Sequence, residues 1–109
     1  MAATYKVLGQ VNPVATTATT AYTVPSATET VISTITVANL GPAPTSYRIA
    51  VRPNGATLEN KHYIVYDSTV APQSTDTLTI GVTLDATDVV TVYASTATMA
   101  FNLFGSEIA

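Results

Sequence analysis

The sequence predicts an all-β fold: a single β-sandwich of seven to eight antiparallel strands, jelly-roll or immunoglobulin-like in winding, with almost no helix. Three observations lead there. Short segments with apolar residues at every second position recur along the chain, separated by Pro, Gly, Asn and Asp. No window carries a sustained apolar period of 3.6. Charged residues make up only 10% of the chain, and threonine, whose branched Cβ fits a pleated sheet, takes their place. At 109 residues the chain is one domain, spanning residues 1–109, with a single modest core.

The segments follow in order. Thr4–Val11 is the first strand, ended by Asn12-Pro13. ATTATTA (Ala15–Ala21) lacks apolar anchors, so residues 12–21 are expected to form an N-terminal loop or arm. Tyr22–Val24 is a short strand halted by Pro25. Thr28–Ala38 is a long one, with Val31, Ile35 and Val37 assigned to the inner face and Ile32, Thr34 and Thr36 to the other. After Asn39-Leu40-Gly41-Pro42, Thr45–Arg52 alternates: Tyr47, Ile49 and Val51 inward, Arg48, Ala50 and Arg52 outward. Pro53-Asn54-Gly55 reads as a turn, because Asn and Gly tolerate positive φ.

His62–Tyr66 is the next strand, and Thr75–Leu84 the cleanest alternation, with Leu78, Ile80, Val82 and Leu84 inward. Asp85-Ala86-Thr87-Asp88 turns the chain into Val89–Ala94, from which Val90 and Val92 join the core. Thr98–Phe104 closes the fold with Met99, Phe101 and Leu103 inside. TVPSATETVISTITV and TVAPQSTDTLTIGVTL echo one another in their order of Val, Pro, acid and long strand.

Several function classes are disfavoured. A net charge of −3, with few and scattered basic residues, gives no footprint for nucleic acid. Without cysteine there is neither a disulfide framework nor a thiolate metal site. The N-terminal MAATYKVLGQ lacks the basic and apolar regions of a signal peptide, and no apolar run approaches the roughly 18 residues of a membrane span. These features fit a protein folded in a reducing cytoplasm.

Chemistry, if present, belongs in SYRIAVRPNGATLENKHYIVYD, Ser46 to Asp67, which holds the sole histidine and three of the four basic residues. His62 has no nucleophile elbow for a triad and too few imidazole or thiolate companions for zinc, so it is read as an idle rim histidine. Asp76, Asp85 and Asp88 lack the spacing of a calcium loop, and Asp88 is read as an Asx-type turn residue. No catalytic residue, cofactor or metal is expected. The informative residues are instead Arg48, Arg52, Tyr63 and Tyr66, types enriched at protein interfaces. In a regular strand Tyr63 and Tyr66 have opposite facing, so at least one of them lies outside the core. Phe104, of opposite parity to Phe101, is expected to face outward and to need a neighbour.

MAATYKVLGQ, TVPSATETVISTITVANLG, YRIAVRPNGATLENKHYIVYD, DVVTVYAS and FNLFGSEI together resemble a group of small virion structural proteins of tailed phages, notably phages of cyanobacteria and marine bacteria. The likeness runs nearly end to end and carries no catalytic motif. It implies a non-enzymatic, many-copy part of the particle, made in the host cytoplasm: a capsid decoration or cement subunit, or a tail-associated one. Its partners would be other virion proteins and copies of itself, with three-fold packing one possibility. The alternative from a different class is a receptor- or glycan-binding β-domain of a tail fibre or baseplate, in which exposed tyrosines stack on sugars.

Overall fold

The computed structural model describes residues 2–109. It contains nine strands: β1 (Ala3–Val11), β2 (Thr19–Thr23), β3 (Glu29–Asn39), β4 (Thr45–Arg52), β5 (Tyr63–Val70), β6 (Thr75–Leu78), β7 (Val82–Leu84), β8 (Val89–Ala94) and β9 (Met99–Ile108). Two single turns of 3-10 helix, Pro53–Gly55 and Asn60–His62, lie between β4 and β5. The order β1-β9-β3-β6, with β7 also on β3, makes one sheet, and β2-β8-β4-β5 makes the other. Every pairing is antiparallel.

With β6 and β7 counted as one interrupted strand, the pairs are first with last, second with second-last, and so on inward. That nested winding is the jelly roll, and it decides between the two sandwich topologies left open by the pattern. The echoing segments are β3 and the β6–β7 pair that flanks it. Residues 12–18 run outside the strands, and Asn12 holds them to the body by donating from Nδ2 to the carbonyls of Ala97 and Met99. Thr19–Ala21 already belong to β2.

The core lies between the sheets. Ile35, Val37, Met99, Phe101 and Leu103 enter from one side, and Tyr47, Ile49, Val90 and Val92 from the other. Leu84 is buried too, while Val51, Leu78 and Val82 are partly buried and pack against the cluster. Tyr22, Val24, Ile32, Val70 and Ala94 complete it without having been expected there. The turn at Asn54-Gly55 uses positive φ at both residues, 53° and 67°.

Two residues assigned to the core lie outside it, each beside an irregularity of the first sheet, and Ala50, assigned outward, is buried. On β3 the register with β9 jumps between Ile32 and Thr34, a β-bulge that reverses side-chain parity. Thr30 and Ile32 therefore point inward, and Val31 is displaced to the outer face. Gly105 of β9 sits at this level, and a Cβ there would lie 2.0 Å from the Val31 carbonyl oxygen, so only glycine lets the bulged strand approach. On the other flank of β3, Ile32 pairs with Val82 and Ile35 with Leu78. The outer strand thus has one residue more than β3 to place across the gap. It does so by breaking into β6 and β7, with Gly81 at φ 63°. Ile80 is lifted into solvent, 52% exposed. The expected Thr75–Leu84 strand is two short ones, and truncating Ile80 opens no cavity.

Candidate functional site

The expected site residues fall on opposite faces of the sandwich. Arg48, Tyr63 and Tyr66 gather on the outer face of the β2-β8-β4-β5 sheet, joined by Tyr93 from β8. Tyr93 lies directly opposite Arg48 in the β4–β8 ladder. The Arg48 guanidinium is centred 4.2 Å from the Tyr66 ring and 4.3 Å from the Tyr93 ring, close enough to both for cation–π attraction. Its edge meets Asp67 in a forked contact, Nε to Oδ1 at 2.6 Å and Nη2 to Oδ2 at 3.3 Å. The hydrogen bonds to Asp67 push the Arg48 pKa further above its ordinary value. The group is therefore a fixed cation whose charge is already matched.

Tyr63 and Tyr66 both reach this face because the β4–β5 ladder is irregular on either side of Val65. Each irregularity adds a residue to β5, and the parity argument that separated the two rings fails. Their planes meet at 82° with centroids 5.0 Å apart, an edge-to-face arrangement. Beside them Asn60 completes a shallow depression of about 450 Å³. Tyr66 is 58% exposed.

Arg52 does not join the cluster. It donates from Nε to Thr91 Oγ1 and from Nη1 to the carbonyls of Gly55 and Ala56, so it braces the turn after β4. Phe104 points outward from the other sheet, where with Tyr5 and Val31 it lines a depression of about 340 Å³. No single contact surface unites the expected residues; there are two, back to back.

His62 is more enclosed than a rim residue. It closes the Asn60–His62 turn, is buried, and accepts the Glu59 amide on Nδ1 at 2.9 Å. The acidic residues also part company. Asp88 accepts the amides of Asn54 and Asp85, tying two turns together. Asp76 instead accepts the Tyr47 hydroxyl at 3.1 Å. Among the described residues no three His, Asp or Glu side chains gather as a metal site.

Sequence reasoning missed a polar relay at the end of the sandwich. Tyr22 Oη contacts Thr30 Oγ1 at 2.8 Å and donates to Glu107 Oε2 at 2.5 Å, while Lys6 reaches Glu107 Oε1 at 3.1 Å. No local motif marks it, since the four residues come from β1, β2, β3 and β9. The Tyr22 hydrogen bond, then Lys6, holds the Glu107 carboxyl below its usual range. Tyr22 and Tyr47 are each pushed up to about 12, by burial first and then by their bonds to Glu107 and Asp76.

The sign of the pH effect follows. A phenol whose pKa is raised by folding stabilises the native state fully below its unfolded pKa, about 10, and loses that contribution as pH rises through the folded value. The urea midpoint should therefore fall steadily between about pH 10 and pH 12, with both phenols contributing. Equilibrium melts across that interval check it, and a flat midpoint to pH 12 contradicts it.

Compared with known proteins, the chain matches no family model, no curated protein and no solved structure.

Proposed function

We propose that the protein is a non-enzymatic structural subunit of a tailed-phage particle, a many-copy decoration, cement or tail-associated component that works through protein–protein contacts. The observation that carries this reading is the pair of outward aromatic surfaces on opposite faces: Tyr66 with Arg48, Tyr63 and Tyr93 on one, Phe104 with Tyr5 and Val31 on the other. A block with two opposed adhesive faces can bridge two neighbours. The Arg48 cluster is also held rigid before binding by Asp67 and two rings, so little side-chain freedom is lost on contact. The whole-chain resemblance to small virion proteins points the same way. The jelly roll is compatible with it but carries less weight, since this winding serves shells and lectins alike.

The test is occupancy in purified particles. Tyr66→Ser and Phe104→Ser, singly and together, should leave the domain folded while reducing its copy number at least about tenfold, as expected where one aromatic anchor contributes about 2 kcal/mol or more. Full occupancy of the double variant, or absence of the wild-type protein from particles, overturns the reading.

The Tyr63–Tyr66–Asn60 depression supports the second reading, a glycan-binding domain, because a ring face beside an amide is what a sugar's C–H face and hydroxyls require. Glycan-array binding by the isolated domain, abolished in Tyr66→Ser, would decide for it.

A further inference from the structure

We infer that two copies of the chain join edge to edge through β1, antiparallel about a two-fold axis at Tyr5, making one continuous sheet across the dimer. The inference deepens the proposed many-copy structural role by naming one contact between copies, and it can fail without that role failing. β1 is the outermost strand of its sheet. Ala2 and Ala109 exchange both backbone hydrogen bonds, each 3.2 Å, and this fixes the phase of the β1–β9 ladder. In an antiparallel pair such doubly bonded positions alternate. Thr4 and Lys6 therefore turn their backbone groups toward β9, opposite Glu107 and Gly105, while Ala3, Tyr5 and Val7 turn theirs away. Among the described residues, no backbone group bonds the outward N–H and C=O of those three.

Between Ala3 and Val7 this edge carries neither proline nor bulge, two of the usual protections against pairing. It is a nine-residue strand whose one charged side chain, Lys6, is engaged by Glu107 of the same chain. Tyr5 is 84% exposed and Val7 47%. A bulge follows immediately, between Val7 and Gly9, so the flat free edge is confined to Ala3–Val7.

The occupant that fits is the same segment reversed. With the axis at Tyr5, Tyr5 meets the partner's Tyr5 and Ala3 meets the partner's Val7. Every outward group on these three residues is then bonded, about six bonds in the ladder. Lys6 lies opposite the partner's Thr4. Moving the axis one residue to Lys6 leaves Ala3 without its partner and sets two lysines face to face, a destabilising pair. Of these two registers, the one with its axis at Tyr5 is favoured. The merged sheet has ten strands, five from each copy. Because Val7 is directly opposite Phe104 in β9, the partner's Ala3 extends the apolar strip that begins at Phe104.

Sedimentation of the full chain over a range of concentrations tests this. Tyr5→Pro removes an N–H that the monomer does not use, a substitution edge strands tolerate, and should weaken dimerisation at least tenfold without lowering the melting temperature. Tyr5→Ala, which keeps the backbone donor, should retain more of the dimer. The chain has no cysteine, so Tyr5→Cys introduces one thiol, and the proposed register brings the paired Cα atoms to about 5.5 Å, within disulfide reach. Oxidation should link Tyr5→Cys into dimers and leave Val7→Cys unlinked, whether or not the proline variant folds. A wild-type monomer at every concentration, an undiminished dimer in folded Tyr5→Pro, or equal linking of the two cysteine variants overturns the pairing. Any of these leaves the particle role to be judged separately, by occupancy.

Discussion

Replacing Phe101 by Ala should remove about 3–5 kcal/mol of stability, the usual range for deleting a buried aromatic ring. Phe101 is fully buried between the sheets, on a strand paired with β1 and β3 at once. Its ring meets Tyr47 of the opposite sheet at 6.0 Å and 71°, so the substitution cuts an edge-to-face aromatic contact between the layers. β9 is hydrogen-bonded on both sides and has little freedom to collapse into the void. A domain of this size has about 5–15 kcal/mol in total, so the loss is a large fraction of it and the melting temperature should fall clearly. Urea unfolding at constant slope measures it; a loss below about 1 kcal/mol would mean that the sheets close over the gap.

The second large effect is expected at Asn39, where a single amide organises three connections. Asn39 is buried. Its Nδ2 donates to the carbonyls of Ala43, Val70 and Ala71, and its Oδ1 accepts from the Gly41 amide and the Thr98 hydroxyl. Ala at this position removes those bonds, and each group left without another partner where water cannot reach costs about 1–3 kcal/mol. A net loss of about 3 kcal/mol or more is expected. Asn39→Asp keeps the shape but turns an oxygen toward three carbonyl oxygens, so at neutral pH it should be no better than Ala. Stability of the two variants, read together with hydrogen exchange at the Gly41 amide, tests this. Exchange unchanged from wild type would show that the Oδ1 bond contributes nothing.

The two sites also show what sequence could and could not reveal. Phe101 was legible, because Met99, Phe101 and Leu103 alternate without interruption until the strand meets Gly105. Arg48 was legible as outward by the same alternation on β4. Asn39 read only as a strand breaker, since its partners lie near it in space but up to 59 positions away in sequence. The errors at Val31 and Ile80, and the opposite facing assigned to Tyr63 and Tyr66, share one cause. A bulge adds a residue without leaving a motif, and parity beyond it is reversed. Tyr93 could have been paired with Arg48 only if the β4–β8 register were known, and period-two patterning gives facing but no register. The outward facing of Phe104 was correct. That Phe104 and Tyr66 occupy opposite faces depended on the winding, which strand pattern alone leaves open.

The nested winding has a kinetic consequence. β1 finds its partner only in β9, and β9 is also what joins β1 to β3, so the first sheet stays divided until the latest-made strand is in place. A ribosome that has delivered everything through β8 holds a nascent chain with all four strands of the second sheet and only β3, β6 and β7 to cover its apolar side. Closure comes as a late, cooperative step over the longest possible loop, which places folding in the slow range of about milliseconds to seconds typical of all-β topologies. Until then part of the apolar face of that sheet lacks its cover from β1 and β9. With only 10% charged residues the unfinished chain has little self-repulsion and should aggregate more readily than the finished domain as concentration rises.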